Sequence, residues 1–289
     1  MKQIESIYAG LWGLPLSGEV NFGQGITLRP TYIHVMTHTM LAFNRPERSD
    51  AHHPAPWKAT TGMSGFDVEA ELCVPKSYSR HKVAQLDIVR SLVGLLRLYV
   101  HPDIRFAVSA TQPFADLANS NELIVAKQWE ISQRHFDFGQ IPMNGYEVRI
   151  EWVKQHWETA LHLIEKSSEF RLALDVYLSG QFIPNPAMVM VATWGALEAL
   201  FLDTKAELRF RVSSLLAAYM EPRGKTRSAL QKKAANLYDK RSAAAHGSAK
   251  HEPQDLIDSF YLLRDVLIRM IQAGKVPTRE ELEVRLFED

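Results

Sequence analysis

From Gly145 onward the chain settles into a single rhythm. Apolar residues recur at spacings of three and four, and the blocks are separated by Pro184, Pro186, Pro222, Gly224, Gly247 and Pro253. Proline cannot continue a helix interior, and glycine readily adopts the left-handed turn that ends one. Helices are therefore predicted at 146–166, 168–180, 186–202, 205–220, 226–246 and 254–273. Short connections and no strand pattern between them point to a helical bundle.

The first 145 residues follow a different pattern. Phe66 to Val74 alternates apolar and acidic residues with period two, the signature of a half-buried strand. Ile104–Ala110 and 123–130 read as further strands, and Thr31–Leu41 as another. Between them, Ser79 is positioned to cap a helix reaching Val100, with Val83, Leu86, Val89, Val93 and Leu96 on one face. Residues 44–61 are rich in Pro, His and Ser and read as a loop. Pro142, Asn144 and Gly145 mark a turn-rich boundary. The expected fold is α+β: a mixed α/β domain over 1–145, then an all-helical domain over 146–289.

Composition narrows the function classes. Hydrophobic residues make up 46% of the 289 and charged residues 23%, enough to build a sizeable core. Formal net charge is zero, so no whole-molecule field attracts nucleic acid or membrane, and any such attraction must be local. Cys73 is the only cysteine, which rules out an internal disulfide, argues against a cysteine-built zinc site, and fits a reducing compartment. Met1–Leu14 does not read as a signal peptide, and no run approaches ~18 uninterrupted apolar residues. A cytoplasmic protein with no membrane partner is expected.

Chemistry-bearing residues concentrate in Arg241-Ser242-Ala243-Ala244-Ala245-His246-Gly247. The spacing Arg-x4-His is uninformative alone: it also occurs at Arg29…His34 and Arg48…His53. Only Arg241…His246 ends a predicted helix, with small residues between and glycine after. A histidine there has its protonated form favoured by the helix dipole. Arginine stays charged, and its planar fork suits a phosphate. Residues five apart on a helix lie about 140° around the axis and ~7.5 Å along it, so one copy does not obviously aim both side chains at one point. Two copies across a two-fold axis could build a shared cleft. Residues 205–250 carry eleven Lys or Arg against three acids, a net of +8 in a neutral chain. A basic region around a His/Arg pair suits RNA or phosphate. Within it Arg209, Arg211, Lys232 and Lys233 are candidate RNA-binding residues.

Three blocks in order extend the pattern: Trp194-Gly195-Ala196-Leu197-Glu198-Ala199-Leu200-Phe201, then Glu207-Leu208-Arg209-Phe210-Arg211-Val212, then Leu237-Tyr238-Asp239-Lys240-Arg241-Ser242 with His246-Gly247. Together they resemble the HEPN superfamily, and within it the ApeA-like group of bacterial defence proteins, over about 146–275. The resemblance implies a four-to-six-helix bundle, a homodimer, and a metal-independent endoribonuclease site made from paired Arg/His motifs. It implies an RNA substrate, no cofactor, and a role in antiviral defence or as a toxin. A phage-derived or nucleotide trigger is of the same kind. Arg241 and His246 match the two key positions. Ser242 stands where many HEPN nucleases have Asn, Asp or His, and Ser248 where some HEPN toxins have a tyrosine modified by a partner nucleotidyltransferase. Ser242, Asp239, Lys240 and Glu198 are candidates for supporting roles. Glu198 is equally a structural partner for Arg209 or Arg211. A HEPN fold kept only for dimerisation, or for binding RNA, a nucleotide or a protein, is the alternative.

Other clusters carry less. His34 and His38, with His52 and His53, suggest a metal, but no HExxH or carboxylate pair accompanies them, and no metal is expected. Trp152, Trp157, Phe170 and Tyr177 could stack bases, but in helical segments such residues are far more often core. Residues 1–145 resemble no named family and are expected to sense a trigger or restrain the nuclease.

Overall fold

The computed structural model describes residues 6–36, 41–43, 45–48, 50–52, 57–59, 65–76, 78, 83–121, 124–138, 141–142, 144–202, 206–245 and 252–288. The fold is α+β. The chain divides into two units, one of Met1–Gln85 with Arg105–Glu130, the other of Leu86–Ile104 with Ile131–Asp289.

The first unit is built on a six-stranded sheet in the order β2-β3-β6-β1-β7-β8, with every neighbouring pair antiparallel. Its strands are β1 (Ser6–Trp12), β2 (Val20–Gly23), β3 (Ile26–Met36), β6 (Gly65–Pro75), β7 (Arg105–Ala110) and β8 (Ala126–Gln128). The strands β4 (Leu41–Phe43) and β5 (Trp57–Ala59) pair separately. In β6 the alternation works as the sequence suggests: Phe66, Val68, Ala70, Leu72 and Val74 are buried. The acidic side departs from it, because Glu71 is 0% exposed. Glu71 sits opposite Arg29 on β3 and accepts its Nε–H at 2.8 Å, with Nη2 at 2.7 Å. Its second oxygen accepts the Phe114 N–H at 2.6 Å, at the start of the short helix α2 (Phe114–Leu117). A buried carboxylate is tolerable only when paired and hydrogen-bonded in this way. Gly10, opposite Glu71 on β1, permits the close approach of Phe114. A Cβ there would lie 2.8 Å from the Phe114 ring and 2.9 Å from Val108.

The second unit is helical: α1 (Gln85–Leu95), running into a π-helical turn over Leu96–Val100, then α3 (Tyr146–Lys166), α4 (Ser168–Ser179), α5 (Pro186–Phe201), α6 (Leu208–Met220), α7 (Lys225–Ala245), α8 (Pro253–Ala273) and α9 (Arg279–Phe287). Helix α5 is apolar nearly all round and is packed by α4, α6, α7 and α8, as expected of a central helix. Asn185 caps it by accepting the Ala187 N–H, and Pro186 occupies the first turn. Gly145 takes φ 70° at the start of α3, which explains the turn signal read there.

The division is not a single cut near residue 145. Helix α1 and its π turn belong with the bundle because Leu92, Val93, Leu95, Leu96 and Leu98 are buried there. Arg149 donates to the Val100 carbonyl at 3.1 Å and Arg264 to that of Leu98 at 2.7 Å. The wholly buried Arg97 donates to the carbonyls of Ile104 and Leu178. The mixed α/β expectation for 1–145 thus becomes a sheet unit whose longest expected helix is part of the bundle. Ser79, the expected cap of that helix, lies outside the described residues.

Candidate functional site

The site is assembled by α5, α7 and α8. On α7, Ala234, Leu237, Tyr238 and Ala244 are buried and define the inward face. Arg241 lies one turn beyond Tyr238 on that face, with its guanidinium 5.2 Å from the Tyr238 ring centroid. On α5, Trp194 and Glu198 are likewise one turn apart. The two faces meet: the Tyr238 hydroxyl donates to Glu198 Oε1 at 2.6 Å, and Arg241 Nη2 lies 3.1 Å from Oε1 and 3.3 Å from Oε2. The Tyr238 ring packs edge-on against Trp194 at 5.4 Å. Trp194, 0% exposed, donates its Nε1–H to the Ser259 hydroxyl at 3.1 Å, and Ser259 donates to the Asp255 carbonyl at 2.8 Å. Two hydrogen-bonded sets, Asp255–Ser259–Trp194 and Tyr238–Glu198–Arg241, are thus joined by the edge-on contact of the Trp194 and Tyr238 rings.

The electrostatics follow from this packing. Burial first, and then the hydrogen bond to Glu198, push the Tyr238 hydroxyl up to about 12. It therefore remains a donor at neutral pH. The Arg241 and Glu198 side chains are 20% and 21% exposed, so the pair is only partly screened by water. Glu198 occupies Nη2 alone. Among the described residues the buried Nε–H of Arg241 has no acceptor, and no bond from Nη1 is present. Among the described residues the guanidinium is thus held at Nη2 alone, and Nη1 is the donor left for an anion.

The expected supporting residues are distributed differently from the sequence reading. Glu198 pairs with Arg241 and with neither Arg209 nor Arg211. Arg209 is bound in two-pronged fashion by Asp239 at 2.7 and 2.8 Å. Arg211 lies 3.7 Å from Glu207, one turn away on its own helix. Lys233 pairs with Asp258 at 3.0 Å, and Lys240 lies 3.8 Å from Asp255. Lys232 is exposed and Ser242 half-buried. Three of the eight excess positive charges of 205–250, on Lys233, Lys240 and Arg241, therefore meet carboxylates that arrive from α8 and α5. His246 lies outside the described residues, as do Gly247 and Ser248.

Of the aromatic residues, Trp157, Phe170 and Tyr177 are core. Trp152 stacks on Tyr99 at 3.8 Å and on His156 at 4.4 Å. Among the described residues no three His, Cys, Asp or Glu side chains are grouped to hold a metal. His34 is bonded to Asp67 at 2.8 Å, whereas His38 and His53 lie outside the described residues. The Cys73 thiol, opposite Tyr8 in the sheet, is pushed up by burial, which makes it a poor nucleophile at neutral pH. Among the described residues no helix is long and apolar enough to cross a membrane.

Sequence reasoning did not assign Tyr238, Trp194 and Ser259 to the site. A faint signal exists in the first two, each one helical turn before a charged residue of the pair. The bond that joins them crosses between helices and has no sequence spacing. No protein-family model, curated protein or solved structure matches the chain.

Proposed function

We propose that this chain is a metal-independent endoribonuclease of the HEPN type, acting as a homodimer through Arg241 and His246. The observation that carries the reading is Arg241 itself: fixed at Nη2 by Glu198, backed by Tyr238 and, among the described residues, without a bond from Nη1. A preorganised guanidinium can stabilise a phosphate whose charge grows in the transition state. RNA brings its own nucleophile, the 2′-OH. Attack forms the O2′–P bond and breaks the P–O5′ bond, giving a 2′,3′-cyclic phosphate and a 5′-hydroxyl. In this reading one copy of His246 takes the 2′-OH proton and the other protonates the departing O5′. Glu198 and Tyr238 are positioning residues. Lys232 and Lys233 track the RNA backbone, and the sheet unit senses a trigger or restrains cleavage.

A second reading has its own support. Arg241 is already engaged by a carboxylate, and four neighbouring cations have acidic partners. That arrangement also suits a non-catalytic HEPN module that binds RNA, a nucleotide or a protein. The two are separated by incubating RNA in EDTA with the wild type, Arg241→Ala and His246→Ala. Cleavage that both substitutions abolish supports the nuclease. Cleavage that neither affects removes the site. No cleavage of any RNA, with a ligand co-purifying, supports the binding module.

A further inference from the structure

A cavity of about 290 Å3 opens in the helical unit where the end of α5, one side of α6 and α9 meet. Its apolar wall includes Leu200, Phe201, Leu215, Leu282 and Leu286. Phe210 and Phe287 also line it and are 61% and 74% exposed. The volume is close to the lower end of small-molecule sites, and apolar walls with few polar groups are their usual composition.

The polar groups of the wall are unequal. Arg209 and Arg211 flank Phe210 and, two residues apart on α6, face opposite ways. Arg209 is bound by Asp239, outside the cavity lining. Arg211 lines the cavity, and among the described residues its side chain makes no hydrogen bond. Its nearest carboxylate, that of Glu207, is 3.7 Å away on a side chain 72% exposed to water. Its Nε–H is buried with no acceptor. The other cation of the wall, Arg279, is met by Glu283 at 2.8 Å. A guanidinium without an acceptor beside an apolar cavity leaves hydrogen-bonding capacity unused, at a cost to stability.

We propose that this cavity binds a small amphiphilic carboxylate, with its apolar body against Leu215, Leu282 and Leu286 and its carboxylate on the Arg211 guanidinium. The wall holds two arginines and two glutamates, with Arg279 and Glu283 satisfying each other. The second glutamate, Glu207, lies 3.7 Å from Arg211 on a side chain 72% exposed, so one bound carboxylate can take its place while Glu207 turns to water, whereas a dianion carries a charge the wall does not answer. A neutral head group leaves Arg211 as it is, and a cationic one meets it with like charge. The site uses neither Arg241 nor Glu198, so it stands or falls independently of the nuclease reading.

The test is calorimetric titration of the full chain with octanoate, octanol, octylammonium, octyl phosphate and acetate. Octanoate is expected to bind saturably at one site per chain. Octanol, octylammonium and octyl phosphate bind about tenfold or more weakly, and acetate shows no binding. Arg211→Gln removes the preference for octanoate over octanol. Leu286→Trp fills the cavity and weakens both. Ser214→Leu is a second filling variant should the first fail to melt cooperatively. Failure of octanoate to saturate, equal affinity for octanoate and octanol, or an Arg211→Gln protein that retains the preference overturns the proposal.

Discussion

Replacing Tyr238 with phenylalanine removes one hydroxyl and leaves the ring against Trp194 and Arg241. The lost bond is short, 2.6 Å, and its acceptor belongs to a carboxylate engaged by arginine. Hydrogen bonds to charged groups contribute about 1.5–3 kcal/mol. Glu198 is 21% exposed, so water replaces part of the loss and the lower half of that range applies, about 1.5–2 kcal/mol. For a helical unit of this size that is a fall of about 3–8 °C in Tm, read by far-ultraviolet circular dichroism. The pH dependence has a definite sign. The fold raises the Tyr238 hydroxyl from 10.0 to about 12 and thus favours its protonated form. Its contribution is fully present below pH 10 and is lost as pH rises through about 12. The stability gap between wild type and Tyr238→Phe should therefore be constant up to pH 10 and close toward pH 12. A gap below about 0.5 kcal/mol at neutral pH, or one unchanged at pH 12, would refute the role given to this hydroxyl.

Two further substitutions probe the sheet unit. Glu71→Gln removes a wholly buried carboxylate whose partner Arg29 can turn to water, and about 2–3 kcal/mol of stability should disappear in urea titration. Gly10→Ala places a methyl 2.8 Å from the Phe114 ring, and overpacking of about 1–3 kcal/mol should appear as a lower urea midpoint.

Much of the helical unit is legible because proline and glycine punctuate it. The predicted helices at 146–166, 168–180, 186–202 and 254–273 agree with α3, α4, α5 and α8 to within a residue at each end. Helix α9 is hidden because it is mostly charged and buries only Leu282. Its one local mark is the reciprocal cap between Thr278 and Glu281. Strand β1 is hidden for the opposite reason. Ala9, Gly10 and Leu11 are consecutive and all buried, between β6 and β7, and the register slips at Gly10/Leu11, so no alternation survives to be read. Among the described residues of the stretch 123–130 the strand covers three, Ala126–Gln128. The site is half legible. Arg241 stands out by its place near the end of a helix, but Glu198 becomes its partner only when α5 packs on α7. Local charge counting likewise reads +8 over 205–250, because it cannot see Asp255 and Asp258 arriving from α8.

The most direct test of the Arg241 site is the initial rate of cleavage, in EDTA, of one RNA and of the same RNA with a single 2′-deoxy substitution at the scissile position. We expect the RNA to be cut to a 2′,3′-cyclic phosphate, the substituted position to be spared, and Arg241→Ala to be slower by on the order of a hundredfold while still folded. Equal cutting of both substrates, or an Arg241→Ala protein as fast as the wild type, would contradict it.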